Sequence, residues 1–142
     1  MPKFIVDFFP NVANYWDIFL TALTATYQMF FIAGLITLLI GGAFGISLIV
    51  TTTDGIKPNR IIHFILEVIT NVFRAVPFII LLIFLIPLTR SIAGTSIGVK
   101  GAVVPLVFGA VPFYTRQVET ALADVNPGKI EAARSMGSST LG

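Results

Sequence analysis

Cysteine is missing from the 142 residues, which removes disulfides, thiolate nucleophiles and cysteine metal sites. Histidine is nearly missing as well. His63 stands alone, so no histidine cluster can bind a metal and no second imidazole can assist it; its ordinary reading is a partly buried polar residue on a helix. Charge is scarce. Asp, Glu, Lys and Arg make up 11% of the chain, where an ordinary soluble domain carries about 25%. A soluble fold of this size has a small core and a large surface to cover, so the surplus apolar surface has to face lipid. The net charge of +2 is too small and too scattered for a nucleic-acid surface. No cleavable signal is expected, because Asp7 and Pro10 break the stretch Lys3-Phe4-Ile5-Val6.

What the chain does have is apolar and aromatic bulk. Hydrophobic residues make up 56% and include 13 Phe, and the composition reads as an all-α integral membrane protein. No charge falls between Ile18 and Thr53, and about 20 apolar residues suffice to cross a bilayer. A first span is expected near Thr26 to Val50, preceded by an interfacial segment with Tyr15 and Trp16. Gly41 and Gly45 form a G-x-x-x-G pair, a spacing that lets another helix approach closely. Thr51 to Arg60 then reads as a polar turn, with Asp54-Gly55 and Pro58 as breakers and Lys57 and Arg60 as cytoplasmic markers.

Only fifteen uncharged residues separate Arg74 from Arg90, too few for a full crossing. The second span is therefore expected over about 61–88, kinked at Pro77, with His63, Glu67, Asn71 and Arg74 carried into it. Their i, i+4, i+8, i+11 spacing puts them along one helical face. That face either lines an inter-subunit or substrate path, with Asn71 and Arg74 as pathway candidates, or lies wet in the interface. Arg90 to Lys100 is expected to hold a short outer loop. It has no phosphate-loop spacing. A third span is expected over about 101–120, continuing as helix to about Val125. Pro105 and Pro112 inside it predict a broken helix buried among others, and Arg116 and Glu119 predict a local i, i+3 pair.

Asn126 and Pro127 predict a helix start, and Gly137 a stop, so a short helix is expected over about 127–136. It is too short and too charged to cross a bilayer and presents small alanines with Ile130 and Met136. Summed over the loops, Lys57, Arg60, Arg116, Lys129 and Arg134 lie on one side and Lys3, Arg90 and Lys100 on the other. That bias predicts an external N-terminus and a cytoplasmic C-terminus.

Glu131-Ala132-Ala133 followed by Gly137 resembles the EAA signature of ABC importer permeases. The likeness extends through Phe73-Arg74-Ala75-Val76-Pro77-Phe78, Ile86-Pro87-Leu88-Thr89-Arg90, Gly94-Thr95-Ser96-Ile97-Gly98 and Gly109-Ala110-Val111-Pro112-Phe113. These segments are similar to amino-acid importer permeases of the methionine type. The resemblance implies a cytoplasmic coupling helix in which Ile130, Glu131, Ala132, Ala133, Met136 and Gly137 dock on an ATP-binding subunit. It implies a second permease copy, an extracytoplasmic binding protein and an amino-acid substrate as further partners. ATP and magnesium would lie on the partner ATPase, with no cofactor or metal on this chain and no catalysis by it. Members of that family have about five spans, so these 142 residues are expected to be the N-terminal part of one permease domain, with three spans and the coupling helix. Two alternatives stay open from the residues alone: a truncated small membrane protein with a structural or regulatory role, associating through the Gly41/Gly45 face, and a permease for another polar amino acid.

Overall fold

A computed structural model describes residues 9–125 and 127–138, and these are helical with short connecting turns. The elements are α1 (Pro10–Asn14), α2 (Trp16–Thr51), α3 (Arg60–Ala75), α4 (Phe78–Phe84), α5 (Ile86–Ala93), α6 (Gly98–Ala123) and α7 (Pro127–Ser135).

The first long helix begins at Trp16, not at Thr26. No proline interrupts it, and the Thr residues near its start satisfy themselves within the helix: Thr21 Oγ1 donates to Asp17 O and Thr26 Oγ1 to Ala22 O, both at 2.8 Å. Of the expected interfacial aromatics, Trp16 thus opens α2 and Tyr15 stands at its N-cap, between α1 and α2. At 36 residues α2 is roughly 54 Å long, well beyond the hydrocarbon layer. It is apolar all round, as a lipid-bathed helix is.

One face of α2 is nevertheless buried. Ala33, Thr37, Gly41, Gly45 and Leu48 form a row at near four-residue spacing, and α6 packs along it. A Cβ on Gly41 would stand 2.9 Å from Tyr114 Cδ1, and one on Gly45 2.6 Å from Val118 Cβ and 2.8 Å from Thr115 O. The two glycines therefore let the backbones meet. Thr115 Oγ1, fully buried, donates to Gly41 O at 3.3 Å. In lipid such packing and interhelical bonds, not the hydrophobic effect, hold helices together.

The register fixes the topology. Gly41 meets Val111 and Tyr114, while Gly45 meets Thr115 and Val118, so α2 and α6 run parallel. The chain between them must return to the starting side, and α3, α4 and α5 make that return. The return is more sharply broken than the expected kink: α3 and α4 meet at 102°. Proline excludes the preceding residue from the helical region, and Val76 is accordingly extended (φ −83°, ψ 124°). Pro77 then caps α4, its carbonyl accepting from Ile80 N and Leu81 N. Phe78 seats its ring against Gly109 of α6, where a Cβ would lie 2.8 Å from it. Two helices, α2 and α6, are each long and apolar enough to cross a membrane, and α3 with α4 makes a third span when the bent pair is counted as one.

The expected outer loop shrinks to residues 94–97, because α5 runs on to Ala93 and ends at Gly94 in the left-handed region (φ +74°). The expectation of a broken third span does not hold. Pro105 and Pro112 lie inside a single element, α6, and both are buried. Proline is tolerated there because packed neighbours surround it.

Candidate functional site

Two features stand at the same end of the helices. One is a charged cluster between α3 and α6, and the other is the short helix α7.

The cluster starts from the loop after α2. Lys57 N donates to Val50 O and Asn59 N to Thr51 O, so the loop folds back onto the C-terminal carbonyls of α2. Gly55 has to be glycine, since a Cβ would collide with the Ile49 and Val50 carbonyls. Asn59 caps α3, its Oδ1 accepting from Ile61 N and Ile62 N at 3.1 Å. The next turn places His63 against α2, where Nδ1–H donates to Leu48 O at 3.1 Å.

From His63 the polar face of α3 runs toward α6. His63 Nε2 lies 3.7 Å from Glu67 Oε2, and Glu67 Oε1 lies 3.9 Å from Arg116 Nη2. Arg116 donates through Nη2 to Asn71 Oδ1 at 2.8 Å and through Nη1 to Glu119 Oε2 at 2.6 Å. One guanidinium thus donates to acceptors on two helices, Asn71 of α3 and Glu119 of α6, with the Glu67 carboxylate at ion-pair distance, a task suited to its planar fork of donors. The Arg116 and Glu119 side chains are 26% and 16% exposed, so this pair is better shielded than a surface one, which is worth about 0–1 kcal/mol.

The sequence placed Asn71 and Arg74 together. The structure separates them: Asn71 joins Arg116, while Arg74 is exposed and without an ion pair or hydrogen bond among the described residues. Arg116 and Glu119 do pair locally, but the bond from Arg116 to Asn71 spans 45 positions. Helical periodicity showed which face of α3 was polar and carried no signal for which helix it would meet.

One turn further from this end, between α2, α3 and α6, lies an apolar cavity of about 250 Å³. Ile40 and Phe44, Ile69 and Phe73, and Phe108 and Pro112 line it from the three helices. The cluster and the cavity are consecutive layers of one interface, because Arg116 is one turn beyond Pro112 and Asn71 is beside Thr70.

Helix α7 follows α6 after residues 124–126. Asn126, the expected cap, lies outside the described residues, as does the Ile130 side chain. The helix ends as the sequence suggested: Gly137 is left-handed (φ +85°) and Ser138 N donates to Ala133 O at 3.1 Å. That six-to-one bond with glycine at the turn is a Schellman stop. Glu131 and Ala132 are exposed, Ala133 is half-buried, and Met136 is 81% exposed. Among the described residues α7 packs on no other helix. The Gly41/Gly45 face, by contrast, is already filled by α6 and offers no site for an external partner.

Comparison with known proteins gives concordant matches. The family model for the binding-protein-dependent transport system inner membrane component matches residues 43–142. The D-methionine transport system permease protein MetI of Salmonella typhimurium is 46% identical over 116 residues, 82% of this chain and 54% of that protein. MetI of Escherichia coli is 45% identical over the same shares. The chain spans about half the length of the curated relatives it matches. Two inward-facing crystal structures of the MetNI methionine ABC transporter superpose with TM-scores of 0.79 and 0.81. They are 44% and 43% identical, covering 84% and 86% of this chain and 55% and 56% of theirs.

Proposed function

Because the chain belongs to the family of binding-protein-dependent transport system inner membrane components, we propose that it forms part of the permease of an ABC importer that moves methionine. The observation that carries this reading is α7, a short exposed helix with Glu131-Ala132-Ala133, a Schellman stop at Gly137 and no partner helix among the described residues. Small residues let a groove close tightly around it, and the glycine turns the chain away at once.

In this reading α7 docks on an ATP-binding subunit through Ile130, Glu131, Ala132, Ala133, Met136 and Gly137. A second permease copy encloses the path, and an extracytoplasmic binding protein delivers the amino acid. ATP and magnesium act on the partner subunit, and closure there shifts the membrane helices between two states. Methionine is preferred because the relatives are named D-methionine permeases. The excess of positive residues at the α7 end, Lys57, Arg60, Arg116, Lys129 and Arg134, supports a cytoplasmic α7 and an external N-terminus.

The test is co-purification in detergent with the ATP-binding subunit encoded nearest to the gene, followed by uptake of labelled methionine into proteoliposomes of the assembled importer. Stable co-elution, weakened by Ala133→Trp, and ATP-dependent uptake are expected. Undiminished docking and ATP-coupled uptake in the Ala133→Trp variant would sink the assignment of α7.

A further inference from the structure

The charged cluster lies between the proposed docking helix and the apolar cavity. Residues 124–126 join α7 to α6, and two helical turns separate the end of α6 at Ala123 from Arg116. Arg116 is the residue of α6 that grips α3, through Asn71 at 2.8 Å and Glu67 at 3.9 Å, while Glu119 at 2.6 Å holds its guanidinium in place. His63 extends the same chain of contacts from Glu67 to the last turn of α2 at Leu48 O. One layer beyond, Ile69 and Phe73 of α3 face Phe108 and Pro112 of α6 across the cavity.

We infer that Arg116 is a positioning residue that ties α3 to the movement of α7, so that the cavity between α2, α3 and α6 changes shape when α7 is displaced. Three observations support it. The interaction is directional and multivalent, since one planar group reaches acceptors on two helices. It sits two turns before the end of α6, on the helix that leads through residues 124–126 into α7, and the 102° break at Pro77 interrupts the hydrogen-bonded backbone between α3 and α4. The apolar contacts around the cavity are non-directional and can slide, whereas the guanidinium contacts fix the relative rotation of α3 and α6. Two discrete arrangements of such a cluster would give the bistable element that coupling between distant sites requires.

The inference rests on the importer reading and is tested in proteoliposomes of the assembled transporter by measuring ATP hydrolysed per methionine imported. Coupling energies in proteins amount to about 5–150-fold, so Arg116→Gln is expected to raise this ratio about tenfold while the ATP-binding subunit stays bound. Arg116→Lys, which keeps the charge and loses the fork, should recover part of the coupling. Asn71→Ala, at an exposed position, should raise the ratio by a smaller factor, since it removes the bond to α3 while Glu119 still holds the guanidinium. A ratio equal to wild type in both Arg116→Gln and Asn71→Ala overturns the inference, as does a proportional fall of transport and hydrolysis, which marks a purely structural residue. Failure of the unaltered protein that carries this chain, downstream sequence included, to bind any ATP-binding subunit overturns the importer reading and this inference with it.

Discussion

At the residue scale, identical glycines have different duties. Gly45 has Val118 Cβ and the Thr115 carbonyl where its own Cβ would be, and a backbone oxygen cannot step aside; Gly34, on the same helix, has nothing within 4 Å. Gly45→Ala should therefore destabilise by about 1–3 kcal/mol through overpacking. Gly34→Ala should be neutral or gain up to about 1 kcal/mol from helix propensity. Thermal unfolding in detergent separates the two, and equal shifts would mean that α6 does not seat on Gly45. The sequence marked Gly41 and Gly45 through their four-residue spacing but held no clue that Tyr114, Thr115 and Val118 would be the residues opposite. The same limit applies to Arg116. Its i, i+3 partner Glu119 is local and was readable, while Asn71 and Glu67 depend on how two helices distant in sequence are brought together.

At the scale of elements, charge-free length located the apolar helices but not their ends. Tyr15 and Trp16 carry amphipathic rings, which suggested an interfacial segment apart from the span. Backbone hydrogen bonding has no reason to wait for Thr26, and the long helix starts at Trp16 with Tyr15 at its N-cap. Proline misled in both directions. Pro77 breaks the chain by 102°, more than a kink, because Phe78 finds a seat at Gly109 just after it. Pro105 and Pro112 leave α6 whole because both are packed against neighbours. Spin labels at the exposed positions Ile61 and Phe84 test the break. A continuous helix would hold them about 35 Å apart, and the bent pair is expected to give a distance shorter by roughly a third. A distance at the full helical value would show that α3 and α4 form one straight span.

At the scale of the whole molecule, the parallel register of α2 and α6 sends both helices toward one end, and that end holds the charged cluster and α7. The sequence conveyed the family through α7 and its flanking segments, and it conveyed the membrane through composition. It could not convey that the Arg116 cluster and the apolar cavity form successive layers, since that order arises only from the packing of α3 on α6. The most direct test of the account is proximity of α7 to the ATP-binding subunit. The chain contains no cysteine, so a single introduced thiol carries a unique photo-crosslinker. Placed by Met136→Cys at the exposed end of α7, it should form an adduct of this chain with the ATP-binding subunit in the assembled complex. Placed by Phe84→Cys, at a side chain 79% exposed on the short helix after the break, it should form none. An intact complex with no adduct from position 136, or with equal adducts from both positions, would contradict the assignment of α7 as the docking helix.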